Sequence, residues 1–246
     1  MKFLIQKIDG EVRHDFSLTL LESLRFQKWL QGDKDDTIVK YLDSHDNEKE
    51  DWNWLFKDFH KNYVPVGSVE FVTAWFKRFY DHYPRPINVP EELFDYCDRE
   101  IVNGDEATLL EFEDMYNVFV KSNDKIKGFT EIIDFKYILP KGNYQISELV
   151  DIDSEWRAFV YQSKLVGLQN YSGEFTMFPD VHDINGMIDA YKSAPIAYTL
   201  DVGVFDEKTF VIECHPMMSV GLYGFSDHKI LPYMFYRAFK EITNKL

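Results

Sequence analysis

One stretch, Tyr198 to Tyr223, constrains the fold of this chain more than any other. It contains two runs in which apolar and polar residues alternate, joined by a short polar segment, and this pattern predicts an antiparallel β-hairpin. A three-residue loop, Asp206 to Lys208, would collect the apolar side chains on one face and place Asp201 opposite Glu213 on the other. A two-residue loop would instead place Ile212 opposite Asp201 and mix the faces, so the pattern favours the three-residue loop.

Two opposed carboxylates normally destabilise a sheet, whereas a divalent cation that bridges them reverses the sign of the interaction. The hairpin therefore predicts a metal site at Asp201 and Glu213, with His215 on the same face. The substitutions Asp201→Asn and Glu213→Gln are expected to leave the stability of the metal-free protein unchanged or improved, because each removes one of two like charges. The alternative is that these side chains form an ordinary solvated strand face.

The segment that follows the hairpin, Pro216 to Tyr223, is mostly apolar and contains few turn residues. Loops of this kind at the end of a strand often close a site. We predict that the segment borders the functional site. The alternative is that its side chains only cover the end of the sheet.

Length, charge and cysteine content limit the class of protein. The chain has 246 residues, enough for one large domain or two small ones. Its formal net charge is −15, and without a basic cluster such a chain repels nucleic acid and anionic membrane surfaces. Cys97 and Cys214 lie far apart and form no metal or redox motif, which is typical of a reducing compartment. With no recognisable signal peptide or transmembrane run, the sequence predicts a soluble cytoplasmic protein.

The first hundred residues predict an α/β region. The polar stretch Asp33 to Asp51 predicts turns or a mobile loop, and the proline-rich segment Pro84 to Pro90 places a domain boundary near residue 100. Ser68 is in position to cap the helix that follows it. The predicted elements are a strand at Lys2 to Ile8, a strand or helix at Ser17 to Leu30, a short aromatic helix at Trp52 to Phe59, a strand at Tyr63 to Ser68 and a helix at Val69 to Tyr83.

Lysines mark the end of the first strand predicted in the second half of the chain. Tyr116 to Lys121 predicts a strand, Ser122 to Gly128 a polar loop and Phe129 to Ile138 the returning strand. Lys125 and Lys127 lie on the loop, close to Lys121. Lysines at such places are usually solvated, and the functional alternative is that they neutralise the phosphates of a nucleotide.

Arg157 lies on a further predicted strand, Glu155 to Val160, on the same face as Glu155. A buried guanidinium needs a partner, and its planar fork suits a phosphate or a carboxylate. The open alternatives are a ligand phosphate and a salt bridge with Glu155 or another acid. Farther along, Met187 to Tyr191 predicts the end of a helix, and Lys192 follows it.

These motifs, in this order, resemble the ATP-grasp superfamily. The pattern consists of a lysine that ends a strand, a second lysine in the next loop, and the segments E-W-R-x-F-V, D-V-G, V-I-E-x-H and S-x-G-L-Y. It is most similar to the divergent clade named for one arginine and two lysines (R-two-K), which includes the eukaryotic cell-division-cycle 123 family. The resemblance covers residues 110 to 230, approximately.

The resemblance implies an α+β fold in which two α+β subdomains clasp a nucleotide. Residues 101–246 would form this ATP-grasp domain, with the subdomains meeting near residues 145–155, and residues 1–100 would form the preceding α/β region. ATP and Mg²⁺ are the implied ligands, with Mn²⁺ as the alternative metal.

The resemblance also implies roles for single residues. Asp201 and Glu213 match the metal-binding acids, whereas many members carry Asn where this chain has His215, which would contact phosphate, favour Mn²⁺ or point at the substrate. Arg157 and Lys127 match residues that act in catalysis. The implied nucleotide-binding set, in which residues 148–150 offer backbone groups to adenine, is Lys121, Lys125, Lys127, Glu148, Leu149, Val150, Arg157 and Lys192.

The implied activity is ATP-dependent ligation of a carboxylate to an amine or similar nucleophile, through an acyl phosphate and with release of ADP. The substrates would be small molecules, peptides or proteins. The alternative is an ATP-binding assembly factor without turnover. A metal-dependent hydrolase built on Asp201, Glu213 and His215 is a third reading, but it leaves the lysines and Arg157 without a role.

Overall fold

The computed structural model describes residues 1–45, 51–112, 117–134 and 136–246. The parts of the sequence-based predictions that fall on residues 46–50, Tyr116 and Phe135 lie outside the described residues. Short 3-10 helices occur at Gly32–Lys34, Glu91–Tyr96 and Glu106–Phe112. The strands and α-helices are, in chain order, β1 (Lys2–Ile8), α1 (Asp15–Gln31), β2 (Ile38–Ser44), α2 (Trp52–Leu55), β3 (Val64–Val66), α3 (Val69–Tyr80), β4 (Ile101–Asp105), β5 (Val118–Ser122), β6 (Thr130–Ile133), β7 (Asn143–Ser147), β8 (Ser154–Tyr161), β9 (Lys164–Gly173), α4 (Val181–Ala190), β10 (Ala197–Phe205), β11 (Lys208–Pro216) and α5 (Leu231–Asn244).

The chain forms two compact units. The first unit consists of Met1–Tyr83, Pro195–Ala197 and Met217–Leu246, and the second of Pro84–Ala194 and Tyr198–Pro216. The domain boundary near residue 100 and the subdomain junction near residues 145–155 stay predictions.

The first unit is built on a parallel sheet of order β2-β1-β3, in agreement with the predicted α/β region. Parallel neighbours need a crossover connection, which α1 provides between β1 and β2. The open choice at residues 17–30 is decided in favour of helix, with Phe16, Leu20 and Leu24 buried at helical spacing. The capping role of Ser68 is confirmed, since its hydroxyl accepts a hydrogen bond from the Phe71 amide at 3.2 Å.

The prediction of turns or a mobile loop from Asp33 to Asp51 is wrong for Ile38–Ser44, which forms β2. This strand lies at the edge of the sheet, and most of its side chains are exposed, so it carries little hydrophobic periodicity. Parallel main-chain pairing with β1 along its whole length holds it in place.

The apolar segment after the hairpin contributes to the core of the first unit. Met217, Val220 and Leu222 are buried, and the Leu222 amide donates a hydrogen bond to the Asp15 carboxylate at 2.8 Å. The Ser219 hydroxyl donates to the Gly67 carbonyl at 2.7 Å. These contacts favour the reading in which the segment covers apolar surface; a place at the border of the functional site stays a prediction.

The second unit contains two four-stranded sheets, of order β4-β7-β5-β6 and β11-β10-β8-β9. The strands predicted at β5 and β8 are confirmed, the returning strand β6 is shorter than predicted, and β4, β7 and β9 are additional. Helix α4 covers one face of the second sheet, where Met187 and Ile188 pack in one core with Trp156 and Leu200. Arg157 and Asp201 lie on the opposite face, because side chains alternate along a strand.

The two units together give the α+β class predicted from the sequence, with helices and sheets mixed throughout. Within the described residues, no helix is both long enough and apolar enough to span a membrane.

Candidate functional site

The β10–β11 hairpin positions the acidic residues of the site. Its turn contains two residues, Asp206 and Glu207, both in the left-handed region with φ of 47° and 63°, so the predicted three-residue loop is wrong. The predicted pairing of Asp201 with Glu213 is nevertheless confirmed. A β-bulge reconciles the two observations, because Ile212 is left without a partner between the Glu213 and Val211 pairings.

The bulge also changes which side chains of β11 face the core. Val211 and Cys214 belong to the core beneath α4, whereas the prediction placed Phe210 and Ile212 there. Phe210 instead covers Gly203 so closely that an added Cβ at Gly203 would lie 2.8 Å from its ring. The prediction that all apolar residues share one face is therefore wrong, because a bulge breaks the two-residue period at one point.

Arg157 and Asp201 form a buried bidentate ion pair in the middle of the sheet. The guanidinium donates through Nε to Oδ1 at 2.8 Å and through an Nη atom to Oδ2 at 2.7 Å, with side-chain exposures of 8% and 1%. The sequence left open whether Arg157 binds a ligand phosphate or an acidic side chain. In the structure it forms a salt bridge, and the acid is Asp201. Glu155 instead accepts a hydrogen bond from the Tyr171 hydroxyl at 2.7 Å, and the Arg157 guanidinium lies 5.5 Å from the Tyr171 ring centroid.

Glu213 has two basic neighbours. Lys121, at the end of β5, forms an ion pair with it, and Nε2 of His215 lies 3.3 Å from Oε1 of Glu213 and 3.4 Å from Oδ2 of Asp201. Burial alone would lower the pKa of His215, but its hydrogen bonds to Asp201 and Glu213 outweigh burial and raise it to about 9. Burial would raise the pKa of Glu213, but the hydrogen bonds and charges of His215 and Lys121 lower it to about 2.

We call Lys121, Arg157, Asp201, Glu213 and His215 the charge cluster. Because every carboxylate in it has a cationic neighbour, the premise that Asp201 and Glu213 repel each other without compensation is wrong. The expected gain in stability on removing one of these acids therefore does not follow. Removal of Asp201 instead takes away the carboxylate that the buried Arg157 guanidinium binds through two hydrogen bonds.

The donor set fits a divalent cation. One ligand atom each of Asp201, Glu213 and His215 lies within 4.8 Å of the others. Both Asp201 oxygens accept from Arg157, but a carboxylate oxygen has more than one acceptor site and can bind a metal as well. The two carboxylates suit Mg²⁺, whereas the imidazole is better suited to Mn²⁺ or a later transition metal.

Two residues that the sequence analysis did not select hold the strands of the site in place. Arg99 donates to the carbonyls of Val211 and Ile212 at the bulge, at 2.8 and 2.9 Å. The main-chain carbonyl of Asn88 accepts a hydrogen bond from the Cys214 amide at 2.7 Å, and the side-chain amide of Asn88 donates to the Ser122 carbonyl at 3.0 Å. A left-handed φ of 54° for an asparagine within a proline-rich segment is the feature that marks Asn88, but it is visible only in the structure.

A family model described as an ATP-grasp domain, R2K clade family 2, matches residues 96–232, which is more than half of the chain. The chain belongs to this family. The resemblance found in the sequence is thereby confirmed. No curated protein sequence matches the chain at a significant level.

Solved structures confirm the ATP-grasp fold. D-alanine–D-alanine ligase from Bacillus anthracis, complexed with ATP, is 12% identical, with a TM-score of 0.51 over 100% of this chain and 98% of that one. N5-carboxyaminoimidazole synthetase from Staphylococcus aureus, complexed with ADP, is 12% identical, with a TM-score of 0.56 over 96% of this chain and 78% of that one. The ATP-grasp ligase PsnB, complexed with a minimal precursor, is 12% identical, with a TM-score of 0.52 over 96% and 99% of the two chains.

The other residues predicted to bind nucleotide lie outside the charge cluster of this R2K domain. Lys125 and Lys127 are exposed on the loop between β5 and β6, and Lys192 is exposed after α4. The Glu148 amide already donates to the Glu100 carbonyl at 3.1 Å. The structure thus brings together five of the predicted side chains, those of the charge cluster. The roles of these five and of the other predicted site residues stay predictions.

Proposed function

We propose that this protein is an Mg-ATP-dependent ligase that joins a carboxylate to an amine or similar nucleophile and releases ADP. The observation that carries the proposal is the charge cluster. It combines two cations suited to phosphate with two carboxylates and an imidazole suited to a divalent metal, all on one sheet face and one adjoining strand end.

The cluster is matched to the charges of Mg-ATP. The two carboxylates are neutralised by Arg157 and Lys121, and a divalent cation at Asp201 and Glu213 would take over that role. With the carboxylates neutralised by the metal, the lysine and the arginine can turn to phosphate oxygens without leaving a buried acid unpaired. Mg²⁺ held by Asp201 and Glu213 would supply charge stabilisation for the transferred phosphoryl group.

The proposed reaction has two steps. A carboxylate oxygen of the substrate attacks the γ-phosphorus, the bond to the β–γ bridging oxygen breaks, and ADP leaves. The amine then attacks the acyl carbon of the resulting acyl phosphate, inorganic phosphate leaves, and the amine loses a proton. Lys121 and Arg157 would stabilise the charge that develops on phosphate oxygens in the first step. Lys127, on its exposed loop, would join them when the loop reaches the γ-phosphate.

Adenine binding is proposed at residues 148–150. Residues 148–150 follow β7, and the main-chain groups of Leu149 and Val150 make no hydrogen bond to another described residue. They would therefore be able to bind the adenine edge. Lys125 and Lys192 are proposed as further phosphate contacts, and a cytoplasmic location remains a prediction.

The test is a screen of carboxylates and amines for ADP release in the presence of Mg-ATP. We expect release that requires both an added carboxylate and Lys121, with Lys121→Ala losing at least tenfold in rate. Lys164→Ala serves as the control, since this lysine is exposed at the first position of β9 and belongs to no predicted site. ATP binding without ADP release for any substrate would refute the ligase and support the assembly factor.

A further inference from the structure

Arg99 contacts the site hairpin from outside the charge cluster. It lies two residues before β4, is partly buried, and donates through one Nη atom to the Val211 carbonyl and through the other to the Ile212 carbonyl. The first Nη atom also donates to the Cys97 carbonyl at 3.1 Å. A single side chain therefore binds two consecutive carbonyls of β11.

The Val211 and Ile212 carbonyls both point to the same side of β11 because the strand is bulged there. In a regular strand, successive carbonyls point to opposite sides, so one guanidinium cannot reach both. The unpaired Ile212 changes the local backbone direction, and β11 is the edge strand of its sheet, so its outer carbonyls have no neighbouring strand. Arg99 supplies a hydrogen-bond donor to each of these two carbonyls.

We propose that Arg99 is a positioning residue that holds the bulge and thereby keeps Glu213 opposite Asp201. With the two-residue turn and no bulge, Ile212 would lie opposite Asp201. The slip by one residue would move Glu213 to the core face beneath α4. His215, two residues farther along the same strand, would move with Glu213, so the charge cluster would lose both side chains and only Lys121, Arg157 and Asp201 would remain.

Deletion of Ile212 offers a direct check of this inference. The register is regular on both sides of the bulge, with Val202 opposite Val211 and Asp201 opposite Glu213. Removing the unpaired residue joins these two ladders in the same register, so the acids stay opposed without a bulge. Arg99 should then no longer be needed for the position of Glu213.

The experiment compares four proteins: wild type, Arg99→Met, the Ile212 deletion, and the two changes combined. The first measurement is the cross-strand backbone NOE between Asp201 and Glu213. We expect it in wild type, in the deletion and in the combination, but in Arg99→Met we expect an NOE between Asp201 and Ile212 instead. Lys208→Met is the control, because it removes one positive charge from the same hairpin without touching the bulge.

The second measurement, affinity for Mg-ATP and for adenosine, rests on the proposed function. We expect Arg99→Met to lose at least tenfold in Mg-ATP affinity while adenosine affinity changes less than threefold, and the Ile212 deletion to restore the Arg99→Met protein to within threefold of wild type. Failure of wild type to bind Mg-ATP would refute the proposed function alone, because the NOE still decides the role of Arg99.

Persistence of the Asp201–Glu213 NOE in Arg99→Met would overturn the inference. So would equal loss of affinity in Arg99→Met with and without Ile212. If Arg99→Met does not fold, Arg99→Lys takes its place, because a lysine retains the charge but lacks the fork that binds two carbonyls. Full rescue of register by lysine would show that charge alone suffices and would overturn the role given to the fork.

Discussion

Replacing Asp201 by Asn tests whether the buried pair with Arg157 dominates the energetics of the charge cluster. The substitution removes the negative charge, while the remaining amide oxygen can accept one of the two hydrogen bonds. Arg157, which is almost fully buried, then loses the charged carboxylate to which it donates two hydrogen bonds. Breaking a buried pair by removing one partner typically costs about 3–5 kcal/mol. We expect about 3 kcal/mol, the lower end of this range, because one hydrogen bond survives.

The assay is thermal unfolding at neutral pH in EDTA without nucleotide. For a protein of this size a loss of 1 kcal/mol lowers the melting temperature by about 2–4 °C, so Asp201→Asn should lower it by about 6–12 °C. The matched control is Asp98→Asn, which removes an exposed carboxylate that lies 3.5 Å from Lys208 in the same unit and should change little.

A double-mutant cycle separates the pair from its surroundings. Arg157→Met alone should also destabilise, whereas the protein that carries both Asp201→Asn and Arg157→Met should be more stable than the sum of the single losses allows, because no buried charge is left unpaired. A melting temperature of Asp201→Asn equal to or above that of wild type would refute the reasoning. It would show instead that repulsion from Glu213 outweighs the attraction of Arg157.

Three further predictions concern the charge cluster and the hairpin that carries its acids. Lys121→Ala should weaken Mg-ATP binding by about tenfold to a hundredfold, the equivalent of one charge-assisted contact, and leave adenosine binding unchanged. Equal losses of affinity for Mg-ATP and for adenosine in isothermal titration would indicate damage to the fold. The pKa of His215 is raised to about 9, so the protonated imidazole contributes fully to the stability of the metal-free protein below pH 6.5, and this contribution is lost as the pH rises through 9. His215→Gln should therefore remove the fall in the free energy of unfolding with pH, measured from unfolding curves between pH 6 and 10. Gly203→Ala should cost about 1–3 kcal/mol in urea unfolding, because the added methyl group meets the Phe210 ring at 2.8 Å, and Phe210→Leu should restore part of the loss.

The sequence by itself determined the local features of this protein. Alternation of apolar and polar residues is enough to recognise β10 and β11, and a serine before an apolar helix is enough to recognise the cap at Ser68. The residue types of the site are equally readable, because phosphate and metal chemistry need lysine, arginine and carboxylates. The order of these motifs identified the family.

The tertiary structure alone decided how the site is assembled. Alternation predicts which residues of a strand share a face, but a bulge shifts that assignment by one residue. At this bulge the Val211 carbonyl accepts a hydrogen bond from Arg99, 112 residues away in the sequence. The choice of Asp201 as the partner of Arg157 likewise depends on which strands are neighbours in the sheet. Such contacts join residues that are distant in the chain, and their free energy depends on burial, which no local pattern encodes.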